Sequence, residues 1–443
     1  MSPVSDVRLG YLEDFHRLAS ALPGAGVPWL RERRTEAIER FMEQGFPTLK
    51  DEDWKYTDVR PIAARRPSPA AGDVRLDPRA IVPFAWSGHQ LVFVDGRYAP
   101  ALSNPGGLPG GVRLLSLAAA VAEEPQMLEP WLGREAVAAR HGFEALNAAF
   151  MRDGAVVWIG RGVALEAPIH LLFLASGAPE SAVYWRNVIT AETGSRATVI
   201  ETYASPDGAA HLTNAITDVS LEPSASLEHY RLGRESDTAY HIGGTHAHLA
   251  RDSRYASHAV TLGARLARHE LDAVLDAEGA ECLLNGFYAT RGQQHVDNHT
   301  RIEHRAPYGS SREWYKGVLD DRSRAVFSGR IMVHPQAQRT DAEQANHHLL
   351  LSREAEADSR PQLEIYANDV KCAHGATTGH LDEDALFYLR SRGLDEMHAR
   401  GLLVYAFAAD VLARMRLAPL RQALEQQLAG RLLAGEAVEG LLT

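Results

Sequence analysis

GSRATVIE, residues 194–201, is a turn followed by a short strand-like run. Four pieces of the same build come after it: PSASLEHY (223–230), DSRYASHAV (252–260), EGAECLLNG (278–286) and RSRAVFSG (322–329). Their anchors, Ser195, Ser224, Ser253, Gly279 and Ser323, are separated by 29, 29, 26 and 44 positions. A near-constant step followed by a longer one predicts stacked coils of sheet with one insertion. Alternating stretches such as AVVWIG, PIHLLFLAS and VYWRNVIT, bounded by Gly, Pro, Asp and Ser, extend the same texture from Phe143 to Tyr366. No helical stretch of crossover length interrupts it, which argues against βαβ units. The fold class reads as mainly β, with a β-solenoid as first choice and a β-sandwich as second.

Helical segments flank this region. Pro28 stands at a first-turn position, Leu30, Ala37, Ile38 and Phe41 form an apolar stripe, and Gly45 is a C-terminal stop. A Pro/Gly/Arg-rich linker is expected from Pro61 to Asp77. Beyond Gly379, the acidic run Asp382, Glu383 and Asp384 suits a helix start. Leu403, Phe407, Val411 and Met415 recur every four residues, and Pro419 opens another helix. The expected organisation is a helical region over 1–75, a β core over 76–380 and a helical domain over 381–443 whose exposed faces could dock a partner.

The 443 residues carry a formal charge of −11, which disfavours nucleic-acid binding. No apolar run approaches the ~18 residues that cross a bilayer. The N-terminus lacks an export signal, so a cytoplasmic protein with reduced thiols is expected. Two cysteines, Cys282 and Cys372, cannot build a disulfide framework or a four-cysteine cage. Phosphate-loop, dinucleotide and nucleophile-elbow motifs are absent, so any ATP site belongs to a partner.

Three histidine-bearing stretches are candidates for chemistry. In Thr245-His246-Ala247-His248 both imidazoles share a strand face, with His241, His258 and His269 nearby. A cupin-like metal enzyme and ordinary half-exposed strand histidines both fit. In QQHVDNHTRIEHRAP (293–307), His295, Asp297 and His299 share a face and His304 takes the other. That face is a ligand surface or a hydrogen-bonded ladder on an outer sheet. In DVKCAHGATTG (369–379), Cys372 and His374 share a face, a thiol and an imidazole that suit iron, zinc or an iron–sulfur unit. Two donors leave a metal half-satisfied, so the rest must come from distant residues or another subunit. The plainer reading is a small cysteine beside a surface histidine. Cys282 reads as packed core.

The block from Gln294 to Met415 resembles the SufB/SufD family of iron–sulfur cluster assembly proteins, most closely its SufD branch. QHVDNHTRIEHRAPYGSSREWYKG, RIMVHPQAQRTDAEQANHHLLLS and PQLEIYANDVKCAHGATTGHLDEDALFYLRSRG carry it, with GFPTLKDEDWKYTD and FEALNAAF upstream. The resemblance implies a right-handed parallel β-helix. It implies a cytoplasmic complex with a SufB-like paralogue and a SufC-like ABC ATPase, the latter docked by residues from about 381 onward. The isolated chain would pair with itself. No permanently bound cofactor is implied, only transient iron or a nascent cluster at the subunit interface. The family's cysteine–histidine pair falls on Cys372 and His374, with the remaining donors on the partner. SufB-type chains have a cysteine where Asn346 stands and a glutamate-rich run where this chain has CAHGATTGH. The expected role is thus a non-catalytic scaffold subunit. A self-sufficient SufB-like scaffold is the alternative within the family, and a metal-dependent enzyme using His246 and His248 the alternative outside it.

Overall fold

The computed structural model describes residues 3–70, 88–132, 140–178 and 180–432. The expected boundary at 75/76 and the last residues, 433–443, lie outside the described residues.

Two ten-stranded sheets face each other, and the chain alternates between them. One sheet holds β4 (Val112–Ser116), β5 (Ala155–Ile159), β7 (Ser181–Ala191), β9 (His211–Leu221), β11 (Tyr240–Leu249), β13 (Leu266–Leu275), β15 (His295–His304), β17 (Arg324–Val333) and β19 (Glu356–Ile365). A short strand, β1 (Ser68–Pro69), also pairs with β7 there. The other holds β2 (His89–Val94), β3 (Arg97–Tyr98), β6 (Ile169–Leu174), β8 (Arg196–Ala204), β10 (Ser226–Arg234), β12 (Arg254–Thr261), β14 (Glu281–Thr290), β16 (Ser310–Leu319), β18 (Asp341–Leu350) and β20 (Lys371–Gly379). From β5 and β6 onward every pairing between neighbours is parallel. The result is a parallel β-solenoid of about seven coils with two strands per coil.

The repeat has a conformational cause. Gly194, Ser224, Asp252, Gly279, Tyr308 and Arg339 all have φ between 55° and 72°. Each stands two residues before its strand in the second sheet, turning the chain into it. Register-matched positions Arg196, Ser226, Arg254, Glu281, Ser310, Asp341 and Lys371 are 30, 28, 27, 29, 31 and 30 residues apart. The expected insertion is therefore absent: RSRAVFSG is β17, in the opposite sheet, and the gap of 44 residues spans one and a half regular coils.

Inward-facing side chains fill the lumen. Phe93, Phe173 and Tyr203 stack along the axis, with centroids 5.0 and 4.9 Å apart. Helices cover the outer faces. Against the first sheet lie α1 (Pro3–Leu18), α2 (Pro28–Gln44) and α6 (Gly142–Phe150), through Tyr11, Phe41 and Phe150 onto Tyr184, Leu212 and Ile242. The stripe Leu30, Ala37, Ile38 and Phe41 is buried, and Gly45 closes α2 by donating its N–H to the Phe41 carbonyl. Part of the expected linker is ordered as α3 (Arg60–Arg65) followed by β1. Two further helices, α4 (Leu117–Glu123) and α5 (Pro125–Leu132), pack beside Val156 and Val188.

On the second sheet lie α7 (Glu383–Ser391), α8 (Glu396–Leu412) and α9 (Ala418–Leu432). The Asp382 carboxylate accepts from the backbone N–H groups of Asp384 and Ala385 and so caps α7. The buried face of α8 is Val404, Ala408, Val411 and Leu412. Leu403 and Phe407, expected at its centre, are only half-buried because the sheet meets the helix one residue further round.

Candidate functional site

Coils inside the solenoid have a sheet neighbour on each side. Among the described residues the last one has none beyond β19 and β20, which end their sheets. Cys372 and His374 both lie on β20 and, two residues apart, share its inward face. Cys372 is half-buried and packs against the lumen core. Burial raises its thiol pKa above the usual value, against a backbone hydrogen bond involving Ala342. His374 is exposed. One donor thus rests on the core and its neighbour stands free at the open end.

The lumen immediately beneath is polar. Ala342, Gln344, Asn346 and His348 on β18 are the register partners of Cys372, His374, Ala376 and Thr378. Asn346, where SufB-type chains were expected to have a cysteine, is fully buried. It donates to the Tyr288 hydroxyl (3.3 Å) and accepts from Ser359 (2.7 Å). His348 meets the same Tyr288 hydroxyl at 2.6 Å. Below them Gln344 Nε2 donates to Glu313 Oε2 at 2.6 Å. Burial raises the Glu313 pKa to about 7, opposed by hydrogen bonds from Gln344 and Thr300. The sequence reading missed Glu313 and Gln344. Their signal, polar residues at inward strand positions, becomes visible only once register is known.

The other histidines are engaged elsewhere. His246 and His248 share an outer face, as expected, but His246 lies 3.3 Å from Asp218 and 3.5 Å from Glu144. Burial works against its charge, yet hydrogen bonds to Asp218 and Glu144 raise its pKa to about 10. Both ring nitrogens of His246 thus lie beside carboxylates, an ion-pair setting that counts against the metal-enzyme alternative. His241 faces inward, bonded to Glu235 at 2.6 Å and in contact with Arg231.

The face of His295, Asp297 and His299 is a hydrogen-bonded ladder. Asp297 bonds Arg268, His299 and Thr57, so the ladder clamps the N-terminal region to the sheet. Arg268 also lies 3.7 Å from the centroid of Trp54. His304 takes the inward face and meets the Ser311 hydroxyl at 2.9 Å. Cys282 is buried in the lumen core, and burial pushes its thiol pKa far up.

Among the described residues one group has metal-ligand geometry, His141, Glu144 and Glu270; the first two are three positions apart, but Glu270 is too distant in sequence to be read with them. Arg140 bridges both glutamates at 2.9 and 3.1 Å, and Arg268 holds Glu270 at 2.8 Å. Two guanidiniums already occupy these carboxylates, which makes the group an ion-pair junction.

Residues 173–407 match the SufBD core domain of the SUF system for FeS cluster assembly, and residues 6–171 match the SufBD N-terminal region. The chain is 35% identical over 409 residues to an iron–sulfur cluster assembly SufBD family protein of Synechocystis sp., covering 90% of each. It is 31% identical over 427 residues to the iron–sulfur cluster assembly protein SufD of Escherichia coli, covering 96% of this chain and 97% of that one. With SufD of Bacillus subtilis it shares 26% identity, covering 87% and 90%.

Proposed function

The chain belongs to the SufBD family of iron–sulfur cluster assembly proteins, and from that membership we propose that it is a SufD-type scaffold subunit. It pairs with a SufB-like paralogue through the open coil at β19 and β20, and its C-terminal helices dock a SufC-like ABC ATPase. When isolated, it pairs with itself. It performs no chemistry alone and works in the cytoplasm; no helix among the described residues is long and apolar enough to cross a membrane. The observation that carries the reading is the placement of Cys372 and His374 at the uncovered end of the solenoid.

Iron or a nascent cluster is cargo in this scheme. His374 offers an imidazole nitrogen and Cys372 a thiol. A metal deprotonates the thiol on binding, and the partner supplies the remaining donors. The raised thiol pKa makes His374 the readier donor before the partner closes over the pair. Asn346 is already spent on lumen hydrogen bonds and offers no thiolate, which favours a shared site over a self-sufficient scaffold.

The test is His374→Ala in cells that depend on this pathway alone. An exposed side chain should alter folding stability by no more than ~0.5 kcal/mol. Cluster maturation should nevertheless fall at least tenfold, with the variant still co-purifying with its paralogue. Normal maturation by that variant would remove the assignment.

A further inference from the structure

Beneath His374 the lumen holds an acceptor without a donor. Gln344 on β18 is the register partner of His374, and Glu313 on β16 is the register partner of Gln344. Neighbouring strands lie ~4.8 Å apart, so matched side chains stack in one column. Gln344 is 1% exposed, and its Oε1 is buried with no partner. Space for its amide comes from Gly329, where a Cβ would stand 2.0 Å from Gln344 Nε2.

The orientation of that amide follows from Glu313. Among the described residues Glu144, Glu201, Glu235 and Glu270 are all buried against arginine or histidine. Glu313 has no such cation and takes its one hydrogen bond of good geometry from Gln344 Nε2. While Glu313 is ionised it can only accept, so the amide turns its N–H inward to the carboxylate and its oxygen is left for a donor. The next side chain outward in the column is His374.

We propose that Gln344 is a positioning residue for His374: its free Oε1 accepts one imidazole N–H, which fixes the tautomer and leaves the other ring nitrogen's lone pair for the metal cargo. The inference rests on the reading of His374 as a donor at a shared site. Metal-binding histidines nearly always donate their second N–H to a carbonyl or carboxylate, and such partners are worth 10–100-fold in affinity. Donors here would run in one direction, from His374 to Gln344 and from Gln344 to Glu313. In the free chain the imidazole is open to solvent. Once a partner covers the coil end, water is excluded and the Gln344 oxygen is the acceptor that remains.

The experiment is anaerobic titration of ferrous iron into the full chain co-purified with its SufB-like paralogue. Gln344→Leu should weaken binding about tenfold or more, and Gln344→Glu combined with Glu313→Gln, which swaps donor and acceptor across their contact and keeps an acceptor toward His374, should bind as the unmodified chain does. His374→Ala should lose the site. Equal affinity for Gln344→Leu and the unmodified chain, with His374→Ala weakened, overturns the positioning role and leaves the His374 reading intact. Unchanged affinity in His374→Ala overturns both. Histidine-selective nitrogen NMR of the unmodified complex decides the matter even if Gln344→Leu fails to fold. A single fixed neutral tautomer at His374 is expected, and a mixture overturns the proposal.

Discussion

Glu313 and Glu235 are both buried glutamates, and their surroundings drive them in opposite directions. Burial raises the pKa of each, but His241 and His211 hold Glu235 well below the ordinary carboxylate range. Glu313 has only neutral hydrogen-bond partners and is left near 7. A carboxyl raised on folding favours the native state while protonated, so its contribution is complete below about pH 4.5 and lost as pH rises through about 7. The span corresponds to roughly 3 kcal/mol. Glu313→Gln should therefore match the unmodified chain in denaturant at pH 4.5 and exceed it above pH 7.5. Equal midpoints at both pH values would mean that Glu313 is solvated or paired. At this scale the sequence was legible only where spacing carried the signal. Cys372 and His374, two apart on a strand, could be placed on one face without knowing what lay beneath. Gln344 and Glu313 could not, because their column exists only through pairing between residues about 30 positions apart in sequence.

Strand packing depends on exchanges between glycine and tyrosine that no single strand reveals. Gly286 on β14 faces Tyr315 on β16, and Gly317 on β16 faces Tyr288 on β14. A Cβ at Gly286 would stand 2.0 Å from the Tyr315 ring, and one at Gly317 would stand 2.1 Å from the Tyr288 ring. Both rings are fully buried and neither can swing aside. Gly317→Ala should thus cost ~1–3 kcal/mol through overpacking, read as a lower midpoint in thermal unfolding. It should also disturb Asn346 and His348, which bond the same Tyr288 hydroxyl. An unchanged midpoint would show that the lumen has slack there. The repeat itself was legible because six successive coils place a left-handed residue two positions before their strand, and Gly, Ser or Asp marks four of those places. It faded at Tyr308 and Arg339, which adopt the same conformation without the usual composition. The reading then slipped to the opposite sheet, and a regular stretch looked like an insertion.

The molecule as a whole is a rod with two coats, and the coats are not separable from it. On the second sheet Val404, Ala408, Val411 and Leu412 of α8 pack onto Leu232, Val260, Phe287 and Val318. Lys316 is held by Asp410 at 2.7 Å and by the Phe407 carbonyl at 3.2 Å. Removing everything after Gly379 would strip an apolar face, so a truncated chain that lost ATPase binding would not separate a lost contact from aggregation. Point changes on the far side of the coat avoid that confusion. Phe387 and Tyr388 on α7 are 74% and 55% exposed, and Met397 on α8 is 51% exposed. Large exposed apolar side chains on α7 and at the start of α8 are the candidates for the ATPase contact proposed above. Phe387→Asp should leave the thermal midpoint unchanged, since its ring packs on nothing that folding requires. The same substitution should abolish co-purification with the SufC-like ATPase while pairing with the SufB-like paralogue survives, because β19 and β20 are untouched. Retention of the ATPase by the Phe387→Asp, Tyr388→Asp double variant would move that contact to another face of the coat. Loss of both partners together would mean that the two surfaces are coupled through the C-terminal helices.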